Sequence, residues 1–142
     1  RQDPLAAECD ELLALMGISQ FRDVTAAHLP AGVQGRLEVA RALATRPSVL
    51  LLDEPCAGLG SDEAEELAVL LRRLARPEEG QAARLAILVV EHNMPFVLGV
   101  ADHITVMDAG EVIASGAPQD VRANPRVIEA YLGGLSGARS SH

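Results

Sequence analysis

Two short apolar runs limit the architecture open to this chain. Residues 49–52 read "VLLL" and lead into Asp53, Glu54 and Pro55; residues 85–90 read "LAILVV" and end at Glu91 and His92. Runs of this length, set between breakers and polar stretches, are too short for core helices. They read as strands buried on both faces, the pattern of a parallel sheet covered by helices.

The flanking segments carry helical spacing. Leu5, Leu12, Leu13 and Met16 form a stripe that closes at Gly17, a C′ glycine. Over residues 32–45, Val33, Leu37, Ala40 and Ala44 fall on one face with Arg36 and Arg41 at its flanks, and Pro47 stops the helix. Ser61 reads as the N-cap of a helix reaching about Arg76, with Asp62, Glu63, Glu65 and Glu66 in its dipole-favoured first turns. A surface connection follows to residue 84, and a short helix covers 94–101. A hairpin turns at Asp108, Ala109 and Gly110, and two helical pieces, 117–124 and 125–133, precede a polar, frayed end. Strands alternating with helices make the class α/β, with a mainly parallel sheet and flanking helices.

Bulk properties exclude several functions. A chain of 142 residues with 49% hydrophobic content and mean hydropathy +0.16 has room for one globular domain. Its longest apolar run falls far short of the roughly 18–20 residues that span a bilayer, and no signal segment opens it, so the expected compartment is the cytoplasm. Cys9 and Cys56 make no disulfide framework, and His28, His103 and His142 make no ligand spacing. The net charge of −8 argues against nucleic acid or an anionic membrane surface as partners.

Asp53 and Glu54 stand at the C-terminal end of a strand, where open α/β sheets place their ligands. Such a pair can hold a metal and a water against a phosphate; on these residues alone, an exposed acidic pair at a strand-to-turn junction is an equal reading. The phosphate holders themselves are missing. All twelve basic residues are arginine, so the chain contains no G-x-x-x-x-G-K-[ST] loop, whose lysine reaches the β- and γ-phosphates. Phe21, Phe96 and Tyr131 are the only aromatic residues, and none is placed to stack on a base.

Taken in order, "LPAGVQGRLEVARAL", "SVLLLDEP", "AGL" and "LVVEH" resemble the C-terminal half of an ABC-type ATP-binding subunit: signature loop and helix, Walker B strand, D-loop and switch histidine. The resemblance covers nearly the whole chain. It implies a truncated P-loop NTPase (ABC ATPase) fold with the P-loop half missing. Residues 1–46 would close the helical subdomain and carry the signature helix, about 47–116 would form the Walker B to switch-histidine core, and 117–142 the C-terminal helices and tail. Asp53 would hold Mg²⁺ through water, Glu54 would be the general base or the group that orients the water, and His92 would contact the γ-phosphate and orient the attacking water. Leu29, Pro30, Ala31, Gly32 and Val33 occupy the L-S-G-G-Q signature positions, which serve the partner's site in trans. Gly58 and Gly60 lie in the D-loop at 57–61. The tail, above all "NPRVIEAYLG", is similar to ATP-binding subunits of branched-chain amino-acid importers and their urea and amide relatives.

The signature departs from its pattern. Pro30 offers neither hydroxyl nor N–H, Val33 replaces an amide with Gln34 one place later, and Gly60 stands where the family has an acid or amide. A weakened signature is expected. The resemblance implies ATP and Mg²⁺ for the complete protein, a second ATP-binding subunit and transmembrane permease subunits as partners, and a peripheral place on the inner face of the membrane. The chain alone, with Asp53, Glu54 and Glu91 left to repel ATP, is expected neither to bind nor to hydrolyse it. An unpaired sheet edge and bare apolar surface should make it self-associate. The alternative is a non-enzymatic ABC-like interaction module that pairs with a complete ATPase subunit. A non-transport ABC protein fits less well, because the chain has no tandem domain or basic extension.

Overall fold

The computed structural model describes residues 4–76 and 85–132. The expected surface connection and the polar end, with His142, lie outside the described residues. The chain divides into two compact units, Arg1–Asn93 and Met94–His142. No described helix is long and apolar enough to cross a membrane.

In the first unit, α1 (Pro4–Leu15) ends in a Schellman motif. Gly17, at φ +68°, donates its N–H to the Ala14 carbonyl at 3.0 Å, and Ile18 donates to Leu13 at 2.9 Å. The Arg36 guanidinium adds a bond to the Met16 carbonyl at 3.2 Å. Leu12 and Leu13 are half-buried and Met16 is fully buried, whereas Leu5 is exposed and drops out of the expected stripe. After two 3₁₀ turns, Ser19–Phe21 and Ala26–His28, comes α2 (Ala31–Ala44). It buries Val39 and Ala40 and packs Val33, Leu37 and Leu43 beside them; Ala44, expected on this face, is exposed.

Strands β1 (Val49–Asp53) and β2 (Ala86–Val90) pair in parallel, with α3 (Ser61–Ala75) between them in sequence. Buried Ala64, Leu67, Ala68 and Leu71 form the i, i+3, i+4, i+7 stripe of α3. Its N-cap is Gly60 rather than the expected Ser61: the Glu63 carboxylate reaches back one turn and accepts the Gly60 N–H at 2.9 Å, half of a capping box. The strands also differ from expectation. Only one face of the pair is covered, where Leu50, Leu52 and Ile87 join the cluster of Met16, Ile18 and Val39. On the other face Val49, Leu51, Leu88 and Val90 are 53–70% exposed.

The second unit begins with α4 (Met94–Val100), followed by the antiparallel hairpin of β3 (Ile104–Asp108) and β4 (Glu111–Gly116). Its two-residue turn places Ala109 at φ +47° and Gly110 at φ +84°, as a type I′ turn requires. A bulge falls between Val106 and Met107. Helices α5 (Pro118–Ala123) and α6 (Pro125–Val127) close the unit, the latter continuing as a π-helical turn, Ile128–Leu132. Ile104, Val106, Val121 and Val127 form the core. Val127 is fully buried and Ile128 is exposed. Tyr131 Oη donates to the Met107 carbonyl at 2.6 Å.

Candidate functional site

The register of β1 and β2, from Val49↔Ala86 to Asp53↔Val90, brings both strands to an end at the same edge. Asp53 is the last residue of β1. Alternation puts it on the uncovered face with Val49 and Leu51, and it is exposed. The Glu54 N–H donates to the Val90 carbonyl at 2.8 Å, which carries the ladder one step further. The backbone then turns sharply. Glu54 has φ +46°, a left-handed conformation that costs a non-glycine residue roughly 1–2 kcal/mol.

His92 lies two residues beyond the end of β2. Its Nδ1 is 3.7 Å from Glu54 Oε1 and 3.9 Å from Glu91 Oε2, with the His92 and Glu54 side chains 75% and 57% exposed. These separations suit an ion pair with a protonated ring and are too long for direct hydrogen bonds. Asp53, Glu54 and His92, singled out in sequence, therefore meet at one end of one sheet.

Glu91 is the residue that sequence reasoning undervalued. Its side chain is 1% exposed. Oε1 accepts the Cys56 N–H at 2.7 Å, and Oε2 accepts those of His92 at 2.9 Å and Asn93 at 3.2 Å. Burial pushes the carboxyl up, but the backbone donors of Cys56, Asn93 and His92 together outweigh it and hold it below its ordinary value. Burial, followed by the Glu91 charge, pushes the Cys56 thiol up to about 12. Cys56 is buried and Cys9 is exposed on α1. The available signal for Glu91 was its place between an apolar strand and a turn whose N–H groups need an acceptor.

The signature positions lead into α2. Leu29 is buried, and Pro30 caps the helix at φ −55°, its carbonyl accepting the N–H groups of Val33 and Gln34, both at 3.0 Å. Val33 packs against the core cluster. The Gln34 side-chain amide folds back to donate to the Leu29 carbonyl at 2.8 Å. Gly32 lies under the D-loop: a Cβ there would stand 2.9 Å from both Leu59 Cδ2 and Glu63 Oε1. Gly58 has φ +76°, and a Cβ on it would meet the Ala31 Cβ at 3.7 Å. Residues 29–33 and 57–61, the segments expected to form the signature loop and the D-loop, thus lie side by side.

An open groove of about 820 Å³ runs between α2 and the end of β1. Its lining includes the acids Glu38, Asp53 and Glu54 and no arginine. Among the described residues, no three His, Cys, Asp or Glu side chains converge as a metal cage. That arrangement does not fit a zinc site, but it does fit Mg²⁺, which keeps several waters and takes one or two carboxylates plus phosphate oxygens.

Comparison with known proteins agrees with this geometry. The ABC transporter family model matches residues 2–57, through α2, β1 and the Asp53–Glu54 turn. The model for the branched-chain amino acid ATP-binding cassette transporter matches residues 111–134. A solved ATP-binding cassette of an ABC transporter, MJ1267 in its ADP conformation, superposes with a TM-score of 0.76 at 28% identity, over 94% of this chain and 52% of that one. The chain belongs to the ABC transporter ATP-binding family. Its relatives there include BraF of Pseudomonas aeruginosa, a high-affinity branched-chain amino acid transport ATP-binding protein, 42% identical over 83% of this chain and 44% of the relative. LivG of Escherichia coli K12, described in the same words, is 40% identical over 85% of this chain and 46% of its own length. The chain spans about half the length of the curated relatives it matches.

Proposed function

We propose that this chain supplies the water-activating half of the ATP-hydrolysing subunit of an ABC importer for branched-chain amino acids or related small polar solutes. The observation that carries this reading is the convergence of Asp53, Glu54 and His92 at the C-terminal end of the β1–β2 pair, with Glu54 Oε1 and His92 Nδ1 3.7 Å apart. Glu54 takes the proton from a water as that water's oxygen bonds to the γ-phosphorus, and the bond to the bridging oxygen breaks to release ADP. His92 donates to a γ-phosphate oxygen and orients the water. Asp53 would hold Mg²⁺ through water, and the ion would supply neutralisation of the charge that develops on the phosphate.

In a dimer of ATP-binding subunits, residues 29–33 face the partner's γ-phosphate with the N–H groups and dipole of the α2 N-terminus. Gly58 and Gly60 shape the D-loop that crosses between subunits. Hydrolysis drives transmembrane permease subunits, which hold the assembly on the cytoplasmic face of the membrane. The chain alone neither binds nor hydrolyses MgATP usefully, because it has no lysine and three acids line its groove. The half-buried Val33, packed against the core, and the tied-back Gln34 favour the second reading, a non-enzymatic module that pairs with a complete subunit.

Calorimetric titration with MgATP separates these readings. The chain alone should give no micromolar binding, and a chimaera in which it replaces the matching segment of the P. aeruginosa relative should both bind and turn over ATP. Micromolar affinity for the chain alone contradicts the first reading; a chimaera that binds without turnover supports the second.

A further inference from the structure

We propose that Glu91 is a positioning residue for ATP hydrolysis, a buried clasp that ties the Glu54 turn to the His92 turn and sets the distance between them. This inference rests on the function proposed above. Cys56 and His92 follow the ends of different strands, and Cys56 lies 35 residues before Glu91 in sequence. Among the described residues, the strand-to-strand ladder runs as far as the Glu54 N–H to the Val90 carbonyl. Past that point, one carboxylate joins the two segments. Oε1 holds the turn that carries Glu54, through Cys56 at 2.7 Å, and Oε2 holds His92 at 2.9 Å and Asn93 at 3.2 Å.

The chemistry of the clasp requires a carboxylate. Three N–H donors aim at two acceptor oxygens whose side chain is 1% exposed. An ionised carboxylate is acceptor-only and serves all three, with the shorter, stronger bonds of a charged acceptor. An amide of the same shape turns one oxygen into an NH₂ group that opposes an N–H, leaving a buried donor unsatisfied. Glu54 and His92 themselves are largely exposed and do not bond each other directly. Their spacing comes from the backbone that Glu91 holds, and a displacement of about 1 Å in such a constellation is worth as much as 10²-fold in rate.

The test is a double-mutant cycle in the chimaera, read as kcat and KM for MgATP. Glu91→Gln should lower kcat about 10- to 100-fold with KM unchanged, and should cause no further loss in a Glu54→Gln background, because both changes remove the same action. In the 142-residue chain, the same change should speed amide exchange at Cys56, His92 and Asn93 selectively. Should Glu91→Gln fail to fold, Glu91→Asp, which keeps the charge and loses the reach, carries the same measurements. Wild-type kcat in Glu91→Gln, or equal losses in both backgrounds, overturns the inference. Wild-type kcat in Glu54→Gln instead overturns the proposed function beneath it.

Discussion

Gly32 shows how a single position can be fixed by contact rather than by backbone freedom. A methyl group there would meet Leu59 and Glu63 at 2.9 Å, closer than carbon atoms settle. Leu59 Cδ2 is a flexible side-chain end that can move aside, but the Glu63 carboxylate is tied to the Gly60 N–H. Gly32→Ala should therefore loosen the cap of α3 and lower stability by no more than about 1 kcal/mol, seen as a small fall in urea midpoint at constant slope. An unchanged midpoint would mean that Leu59 and Glu63 move aside freely. At Glu91 the sign of the pH effect follows from its lowered carboxyl. The folded state binds fewer protons than the unfolded one, so the stabilisation is fully present above the ordinary value of 4.5 and disappears as pH falls through the lower folded value. Between about pH 5 and 3, the wild type should lose unfolding midpoint more steeply than Glu91→Gln; parallel curves would contradict the burial and bonding of that carboxylate. Asp53, Glu54 and His92 were legible in sequence because they terminate apolar runs. Glu91 was not, since an acid next to a histidine at a strand end looks solvated until three N–H groups are found around it.

At the scale of elements, the apolar runs located β1 and β2, and the glycine at 17 located the end of α1, because each signal is local. The half-bare sheet was not legible from the runs themselves, since residues 49–52 carry the same composition whether one face or both are covered; bare apolar surface was expected only from the resemblance to a longer domain. The cap of α3 was misplaced for a related reason, since a serine is a common cap and the reach of Glu63 back to Gly60 is visible only once the turn is built. The bare face carries its own prediction. Leu51 and Leu88 are register partners and 70% and 60% exposed, and apolar surface of this kind drives association. The wild-type chain should sediment as a concentration-dependent oligomer, and the Leu51→Glu, Leu88→Lys double variant should shift to monomer with its unfolding midpoint nearly kept. A wild-type chain that stays monomeric throughout would show that the face is not sticky.

For the whole molecule, the chemistry divides between what this chain holds and what it lacks. One sheet edge gathers a candidate magnesium carboxylate, a base and a histidine, while the composition supplies no lysine to bind the triphosphate. That division explains why the family was readable from the order of four motifs, none specific alone, whereas the solute was not. It also shows where the decisive test lies. In the chimaera with the P. aeruginosa relative, kcat for ATP should fall about 10²- to 10⁴-fold on Glu54→Gln, with MgATP affinity retained. Undiminished turnover in that variant would contradict the assignment of Glu54, and with it the claim that this chain carries the water-activating half of the site.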